Sequence, residues 1–167
     1  EGTGLEDTTD PTMSSLSPLD DATGVGVDST FTITFDEDIV TSTGNVVFYK
    51  TSDDSVVETI DIAGSNVTTS GSTALVINPS TTLDSEIEYY IFIAATAIDD
   101  TSGNSYAGIT ASTTWSFTTA DVDSPTVTSI SSDKTNGSYT TGEVIDIDIV
   151  FSEAVTSTGN ITVTLET

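Results

Sequence analysis

The chain has 167 residues, 27 of them acidic and 2 basic, so its formal net charge is −25. Because it contains no His and no Cys, it excludes Ser-His-Asp triads, cysteine nucleophiles and the usual zinc centres. Lys50 and Lys134 are the only basic residues, which argues against nucleic acid as a partner and against direct contact with an anionic membrane. The remaining carboxylates, hydroxyls and carbonyls are hard oxygen ligands that suit calcium or magnesium.

Short segments with alternating apolar residues follow the acidic residues 1–10. Residues 12–17 predict a first strand, and residues 18–29, rich in Pro, Gly and Asp, predict turns. Residues 30–35 alternate strictly, which predicts a strand with three apolar side chains on one face. Further strands are predicted at 46–50, 56–62, 73–79, 86–98 and 113–120. This series of short strands without a helical period favours an all-β fold, an immunoglobulin-like β-sandwich.

Two aromatic residues are predicted to be structural rather than functional. Trp115 lies in an alternating strand, so we expect it in the core. Tyr89 follows Leu83 by six positions, a spacing that suggests the corner tyrosine of sandwich folds. Neither residue therefore indicates a sugar-binding cleft.

The pattern restarts after residue 120. DTTDPT (7–12) corresponds to DVDSPT (121–126), and TSTGN occurs at 41–45 and again at 156–160. The offset stays nearly constant, because Pro11 and Pro125 are 114 positions apart and Phe35 and Phe151 are 116 apart. We interpret this as an internal repeat. VIDIDIVF (144–151) takes the place of TFTITF, with Ile145, Ile147, Ile149 and Phe151 expected to face inward.

These observations predict a tandem array. Residues 1–10 form an acidic linker from a preceding segment, residues 11–120 a complete sandwich, and residues 121–125 an acidic interdomain linker. Residues 126–167 supply the first three strands of a second Ig-like domain, which is therefore incomplete. Its missing strands come either from further chain in a longer array or from another subunit that completes the half domain in trans.

Three motifs carry a family resemblance over residues 8–120. SPLDDATGVGVDSTFTITFDEDI, AIDDTSGNSYAG and TWSFTTA occur in this order, and together they resemble the bacterial Ig-like domain of the S-layer (SbsA) type. NGSYTTGEVIDIDIVFSEAV is similar to the opening of the bacterial Ig-like repeats of large surface proteins and adhesins. The resemblance implies an extracellular module displayed on a cell surface as part of an array.

The acidic loops are predicted to meet at the poles of the sandwich. Strands of a sandwich alternate in direction, so the N-terminal segment, the loop after the TFTITF strand and the loop near residue 100 share one pole. Clustered carboxylates there repel one another unless a cation neutralises them. We expect calcium at this pole and at the equivalent interdomain joint. The predicted ligands are Asp7, Asp10, Glu37 and Asp100 at the pole, and Asp121, Asp123 and Glu153 at the joint.

An alternative is that the Asp residues serve only hydration and that the linkers are flexible. The chain has none of the spacing of an EF-hand loop.

The sequence predicts a non-enzymatic, extracellular spacer module with calcium-stiffened joints. Its partners would be neighbouring Ig-like domains or identical subunits. Two alternatives stay open: an adhesive module that recognises a glycan or another surface protein, and a filament subunit whose half domain is completed in trans. The loops are short, acidic and rich in Gly, Ser and Thr, which favours the spacer over the adhesive module.

Overall fold

The computed structural model describes residues 7–159 and residue 162. Within these ranges the chain forms strands and turns. The described residues contain no helix that is long and apolar enough to cross a membrane. The thirteen strands are β1 (Met13–Ser17), β2 (Ala22–Val25), β3 (Phe31–Phe35), β4 (Ile39–Thr41), β5 (Asn45–Lys50), β6 (Val56–Asp61), β7 (Val67–Ser70), β8 (Ala74–Ile77), β9 (Glu88–Ile93), β10 (Ile98–Asp100), β11 (Ser116–Thr119), β12 (Val127–Ser132) and β13 (Ile147–Phe151).

The chain up to Val122 contains two sheets that pack together as a sandwich, called here the first and the second sheet in the order in which they are described. One has the order β1-β3-β8-β7 and is antiparallel throughout. The other has the order β2-β11-β9-β5-β6 and is antiparallel except where β2 runs parallel to β11. A short ladder between β4 and β10 lies outside both. The prediction of an all-β, immunoglobulin-like β-sandwich is confirmed.

Alternating residues of the two sheets form one apolar core. Phe31, Ile33 and Phe35 of β3 are all buried, as the strict alternation predicts. The Phe31 ring makes edge contacts with Phe48 at 5.1 Å and with Trp115 at 5.9 Å between centroids. Trp115 is fully buried, which confirms its predicted place in the core. Its indole N–H donates a hydrogen bond to the Pro18 carbonyl at 2.9 Å.

Tyr89 forms the predicted corner. Its side chain is buried, and its hydroxyl oxygen accepts a hydrogen bond from the backbone N–H of Asp84 at 2.9 Å. The Asp84 carboxylate pairs in turn with the Lys50 ammonium at 2.6 Å. The hydrogen bond from Asp84 to Tyr89 attaches the segment before β9 to β9 itself, so the structural interpretation of Tyr89 is confirmed.

The strands differ from the sequence prediction in three places. The segment 18–29, predicted as turns, contains β2, whose Val25 carbonyl accepts a hydrogen bond from Ala120 N–H at 2.7 Å. The segment 86–98, predicted as one strand, is divided into β9 and β10 by a turn. The chain turns where Ala94 and Ala97 pack closely on Gly44, a contact that only small residues allow. The short strands β4 and β7 were not predicted.

The described residues divide into two compact units, one up to Val122 and one from Asp123 onward. The second contains the hairpin β12–β13, whose pairing repeats that of β1–β3: Met13 pairs with Phe35 as Val127 pairs with Phe151, and a register shift follows in both. The third strand predicted for this unit lies outside the described residues. That the unit is an incomplete second Ig-like domain, and the exact domain limits, stay predictions.

The alternation predicted for β13 is present, but its inner face is only half-buried. Ile147, Ile149 and Phe151 alternate with more exposed residues along the strand, and Ile145 is 38% exposed. The buried apolar side chains of the described residues all belong to the first unit, and its core runs from Val25 to Phe117. A two-stranded hairpin has no second layer against which to bury its apolar face.

Candidate cation site

Three separate segments of the first unit bring carboxylates to one end of the sandwich. β3 ends at Phe35, and Glu37 follows in the bend that leads into β4. The ladder between β4 and β10 pairs Ile39 with Asp100, which places the end of β10 beside that bend. The third segment is the N-terminal one, which carries Asp7. The shared pole predicted from strand alternation is therefore the observed arrangement of these three segments.

The N-terminal segment is held in place by two contacts. Asp36 accepts hydrogen bonds from the Thr12 N–H at 2.8 Å and from the Thr12 hydroxyl at 2.6 Å, and both lower the pKa of its carboxyl group. The Asn104 side-chain amide donates to the Asp7 carbonyl at 3.1 Å. Residues 7–12 are thus attached at both ends to the loops that carry Glu37 and Asp100.

Asp7, Glu37 and Asp100 form the tightest acidic cluster. One carboxylate oxygen from each lies within 4.8 Å of the others. Asp7 is exposed, Glu37 is half-buried and Asp100 is only 2% exposed. The cluster therefore extends from the surface into the protein, with Asp100 at its inner end.

Asp100 is oriented by the loop that follows it. One carboxylate oxygen accepts the N–H groups of Ser102 at 2.8 Å and Asn104 at 2.7 Å, and the other accepts the Asn104 side-chain amide at 2.7 Å. Burial alone would raise the pKa of Asp100, but these hydrogen bonds outweigh burial and hold it below its usual value. These bonds fix the orientation of the Asp100 carboxylate and favour its ionised form.

Glu37 experiences the opposite balance. Burial raises the pKa of its carboxyl group, and the negative charges of Asp100, Asp7, Asp36 and Asp10 raise it further. No lysine lies within the cluster, because Lys50 pairs with Asp84 and Lys134 with Glu143. The fold thus gathers like charges at this pole without a side-chain cation of its own.

The donor set fits a hard divalent cation. Two oxygens that each lie about 2.4 Å from a calcium ion are at most about 4.8 Å apart, and the three carboxylates meet this limit. Calcium takes six to eight oxygen ligands in flexible geometry, whereas magnesium requires a tighter octahedron. Three carboxylates on separate segments, with room for water on the Asp7 side, suit calcium better.

The other predicted ligands lie elsewhere. Asp10 is exposed and is absent from the tight cluster, although its charge contributes to the raised pKa of Glu37. Asp121 is exposed near the end of the first unit, whereas exposed Asp123 and half-buried Glu153 belong to the second. An ion shared by these last three residues stays a prediction.

Two features of this site were not predicted from the sequence. One is the ladder between β4 and β10, whose strands have three residues each and are too short to give a periodic signal. The other is the pair Thr12–Asp36, which is 24 positions apart in sequence. The available signal was an Asp or Ser directly after the last Phe of β3 and of β13. Ser152 exchanges hydrogen bonds with Thr126 in the second unit as Asp36 does with Thr12 in the first.

Comparison with known families identifies the class of this protein. The bacterial Ig-like domain family matches residues 7–119, which is more than half of the chain. The chain therefore belongs to this family. No curated protein matches the sequence.

Several solved structures are similar in fold. The N-terminal part of the bacterial S-layer protein SbsC is 16% identical, with a TM-score of 0.45 over 75% of this chain and 26% of that one. A second SbsC structure gives 16% identity and a TM-score of 0.44 over 75% of this chain and 15% of that one. CopC from Methylosinus trichosporium OB3b is 8% identical, with a TM-score of 0.47 over 68% of this chain and 97% of that one.

The chain thus spans about a quarter or less of the SbsC structures that it resembles. These similarities concern the fold alone.

Proposed function

We propose that the chain is a non-enzymatic structural module of a microbial surface-layer, sheath, filament or adhesin protein, displayed outside the cell, and that calcium stiffens its acidic ends. Membership of the bacterial Ig-like domain family supports the structural role. The lack of His and Cys supports a role without catalysis, because it removes the commonest nucleophiles and general bases. A net charge of −25 supports a role in which cations are partners.

The observation that carries the calcium proposal is the convergence of Asp7, Glu37 and Asp100. Three segments far apart in sequence place carboxylate oxygens within 4.8 Å of one another. Burial and the neighbouring carboxylates raise the pKa of Glu37, and the attraction of a divalent cation for all three carboxylates would offset their mutual repulsion. Asp7 belongs to the segment that leads into the sandwich, so an ion here ties that segment to the body of the first unit.

The repeat extends the proposal to the interdomain joint. Asp121 takes the place of Asp7 at the offset of 114 found for the two prolines, and Glu153 takes the place of Glu37 at the offset of 116 found for the two phenylalanines. The pairing of β12 with β13 repeats that of β1 with β3, which supports the same local geometry after each Phe. We propose that Asp121, Asp123 and Glu153 bind calcium at this joint.

Calcium removal tests the proposal. Calcium at about a hundred times its dissociation constant stabilises a folded protein by about 2.7 kcal/mol. We therefore expect EGTA to lower the melting temperature measured by calorimetry. Loss of an ion at the joint would also raise the radius of gyration measured by small-angle X-ray scattering. Magnesium at the same concentration should restore less of the stability.

The two readouts separate the two sites. A lower melting temperature with an unchanged radius of gyration would retain the site at Asp7, Glu37 and Asp100 and remove the one at the joint. If neither quantity changes on chelation, calcium has no part in this protein and only the structural role remains.

A further inference from the structure

The two sheets of the first unit differ in how their edges are protected. Edge strands expose unpaired backbone groups, and charged side chains usually keep other strands away from them. In the second sheet, edge strand β6 contains Glu58 and Asp61, and edge strand β2 directly follows Asp20 and Asp21. In the first sheet, the edge strands are β1 and β7. Neither they nor their adjoining residues Thr12, Gly71 and Ser72 carry a charge.

The hydrogen-bond pattern shows which backbone groups these uncharged edges present. Alternate residues of an inner antiparallel strand bond to its two neighbours. Asp36 N–H donates to the Thr12 carbonyl, so the even-numbered residues of β3 bond to β1. Leu16 pairs with the odd-numbered Ile33. The backbone N–H and C=O of Leu16 therefore point away from β3, toward the open edge. Asn78 N–H donates to the Asn66 carbonyl, so the even-numbered residues of β8 bond to β7. Thr69 pairs with the odd-numbered Leu75, so its backbone N–H and C=O point toward the open edge. Among the described residues, no strand pairs with either edge.

The strand directions make these two edges complementary. Each neighbour in the order β1-β3-β8-β7 is antiparallel to the next, so β1 and β7 run in opposite directions. A copy of the chain shifted sideways without rotation would therefore place its β1 antiparallel to β7 of the first copy. The two strands are similar in length, with five and four residues. One such contact covers both uncharged edges, whereas a two-fold pairing of β7 with itself would leave β1 open.

We propose that β7 of one copy pairs with β1 of the next, so that the first sheet continues from copy to copy. The proposal rests on the array role given under the proposed function, but it does not need calcium at Asp7, Glu37 and Asp100. A head-to-tail contact of this kind does not close on itself and generates a filament or a row. The twist of the sheet would make that row helical.

The charge of the chain controls this contact. Copies with a net charge of −25 repel one another, and the range of that repulsion falls from about 8 Å at physiological ionic strength to about 3 Å at 1 M salt. Because the two edges themselves carry no carboxylate, screening removes the barrier without breaking any ion pair in the contact. Association is therefore expected to increase with salt.

Disulfide trapping tests the pairing, since the chain has no cysteine of its own. Ser15 and Ser17 of β1 and Thr68 and Ser70 of β7 are exposed and point to the outer face of the sheet. Ser15→Cys and Ser17→Cys chains are each mixed with tagged Thr68→Cys or Ser70→Cys chains at 1 M salt under mild oxidation. These four mixtures cover neighbouring registers. The matched control replaces the β7 variant with Thr59→Cys, an exposed position on the charged edge β6.

The expected result is a mixed disulfide dimer on non-reducing gels in at least one β1–β7 mixture and not in the Thr59→Cys control. It should diminish at low salt. Thr69→Pro, which removes the outward N–H of β7, should abolish it while circular dichroism shows an intact fold. A yield no higher than in the control would overturn the proposal. So would a predominance of Ser15→Cys or Thr68→Cys homodimers, which would show two-fold pairing.

The outcomes also separate this interface from the proposed function. Absence of the mixed dimer, together with a calcium-dependent melting temperature, rejects the interface and leaves the calcium proposal standing. A mixed dimer with no calcium effect retains the interface and rejects the calcium sites.

Discussion

At the scale of single residues, Glu37 is the carboxylate of the acidic pole whose pKa is raised. Burial raises the pKa of its carboxyl group, and four neighbouring carboxylates raise it further. We expect Glu37→Gln to stabilise the protein in EGTA at pH 7, because it removes like-charge repulsion, and to destabilise it in calcium, because it removes a ligand. Melting temperatures under both conditions measure this reversal of sign.

Asp38 provides the matched control for Glu37. It is the next residue, it is exposed, and it lies outside the tight cluster. Asp38→Asn should change the melting temperature little and by the same amount with and without calcium. If Glu37→Gln behaves like Asp38→Asn, the cluster binds no ion.

Glu58 gives a pH-dependent contribution away from the candidate cation site. Burial would raise its pKa, but hydrogen bonds from the Ser80 hydroxyl and from the N–H groups of Thr81 and Ser80 together lower it below 4.5. A lowered pKa in the folded state contributes stability above the ordinary pKa, and this contribution is lost as the pH falls through the folded-state value.

Glu58→Gln should therefore cost on the order of 1 kcal/mol at pH 7, a value reduced by partial exposure to water. The cost should fade as the pH falls below about 4.5, since the wild-type carboxyl then becomes neutral as well. Urea titrations at pH 7 and pH 3 measure it, with Glu88→Gln as the control, because Glu88 is the exposed first residue of β9. A cost that is the same at both pH values would contradict this account.

At the scale of elements, Gly108 shows how closely the loop before β11 approaches β9. Its φ is +79°, and a Cβ atom there would meet the Ile93 carbonyl oxygen and would lie 2.8 Å from the Ala95 nitrogen. Both neighbours are backbone atoms, so no side-chain adjustment can relieve the clash. We expect Gly108→Ala to lower the free energy of unfolding by about 3 kcal/mol.

Gly71 separates the clash from the backbone conformation. Its φ is +69°, but a Cβ atom would have no neighbour within 4 Å. Gly71→Ala should therefore cost only about 1 kcal/mol, the price of a left-handed conformation. Equal costs for the two variants in urea denaturation would show that the contact with Ile93 is relieved by movement.

The elements that the sequence predicted well are those with enough residues to show a period. β3, β5 and β8 alternate over four to six residues and pair with inner strands of the sheets. β4 and β10 have three residues each, so their conformation depends on the partner rather than on their own pattern. The sequence predicts turns over β2 because the surrounding segment is rich in Pro, Gly and Asp. In the structure Gly24 lies within the strand at a φ of 69°.

At the scale of the whole molecule, stability is divided unequally between the two units. All buried apolar side chains of the described residues belong to the first unit, whereas Val127, Ile130, Val144 and Val150 of the second are more than half exposed. A two-stranded hairpin is at best marginally stable in water. In EGTA, we expect the fragment 1–122 to melt at the same temperature as the whole chain and the fragment 123–167 to be unfolded.

Circular dichroism of the two fragments checks this prediction. A cooperative transition in 123–167 alone would show that the hairpin has a core of its own. A much lower melting temperature for 1–122 would instead show that the second unit stabilises the first.

The candidate cation site could be predicted in part. The membership of Asp7, Glu37 and Asp100 in one pole followed from strand alternation alone, because antiparallel strands return their loops to the same end. The burial of Asp100, which is only 2% exposed while Asp10 stays exposed, did not follow from the sequence. It depends on the loop of Asn104, which closes over the Asp100 carboxylate. Side-chain burial depends on contacts between distant segments, which no local pattern records.

The class of fold and the burial of Phe31 and Trp115 could be predicted from the sequence alone, because the alternation of apolar and polar residues is a local property of the chain. Only the tertiary structure decided which strands form the edges, which carboxylates meet, and that β2 joins the second sheet. These features depend on pairing across the chain, where the free energy comes from packing and backbone hydrogen bonds between segments that the sequence places far apart.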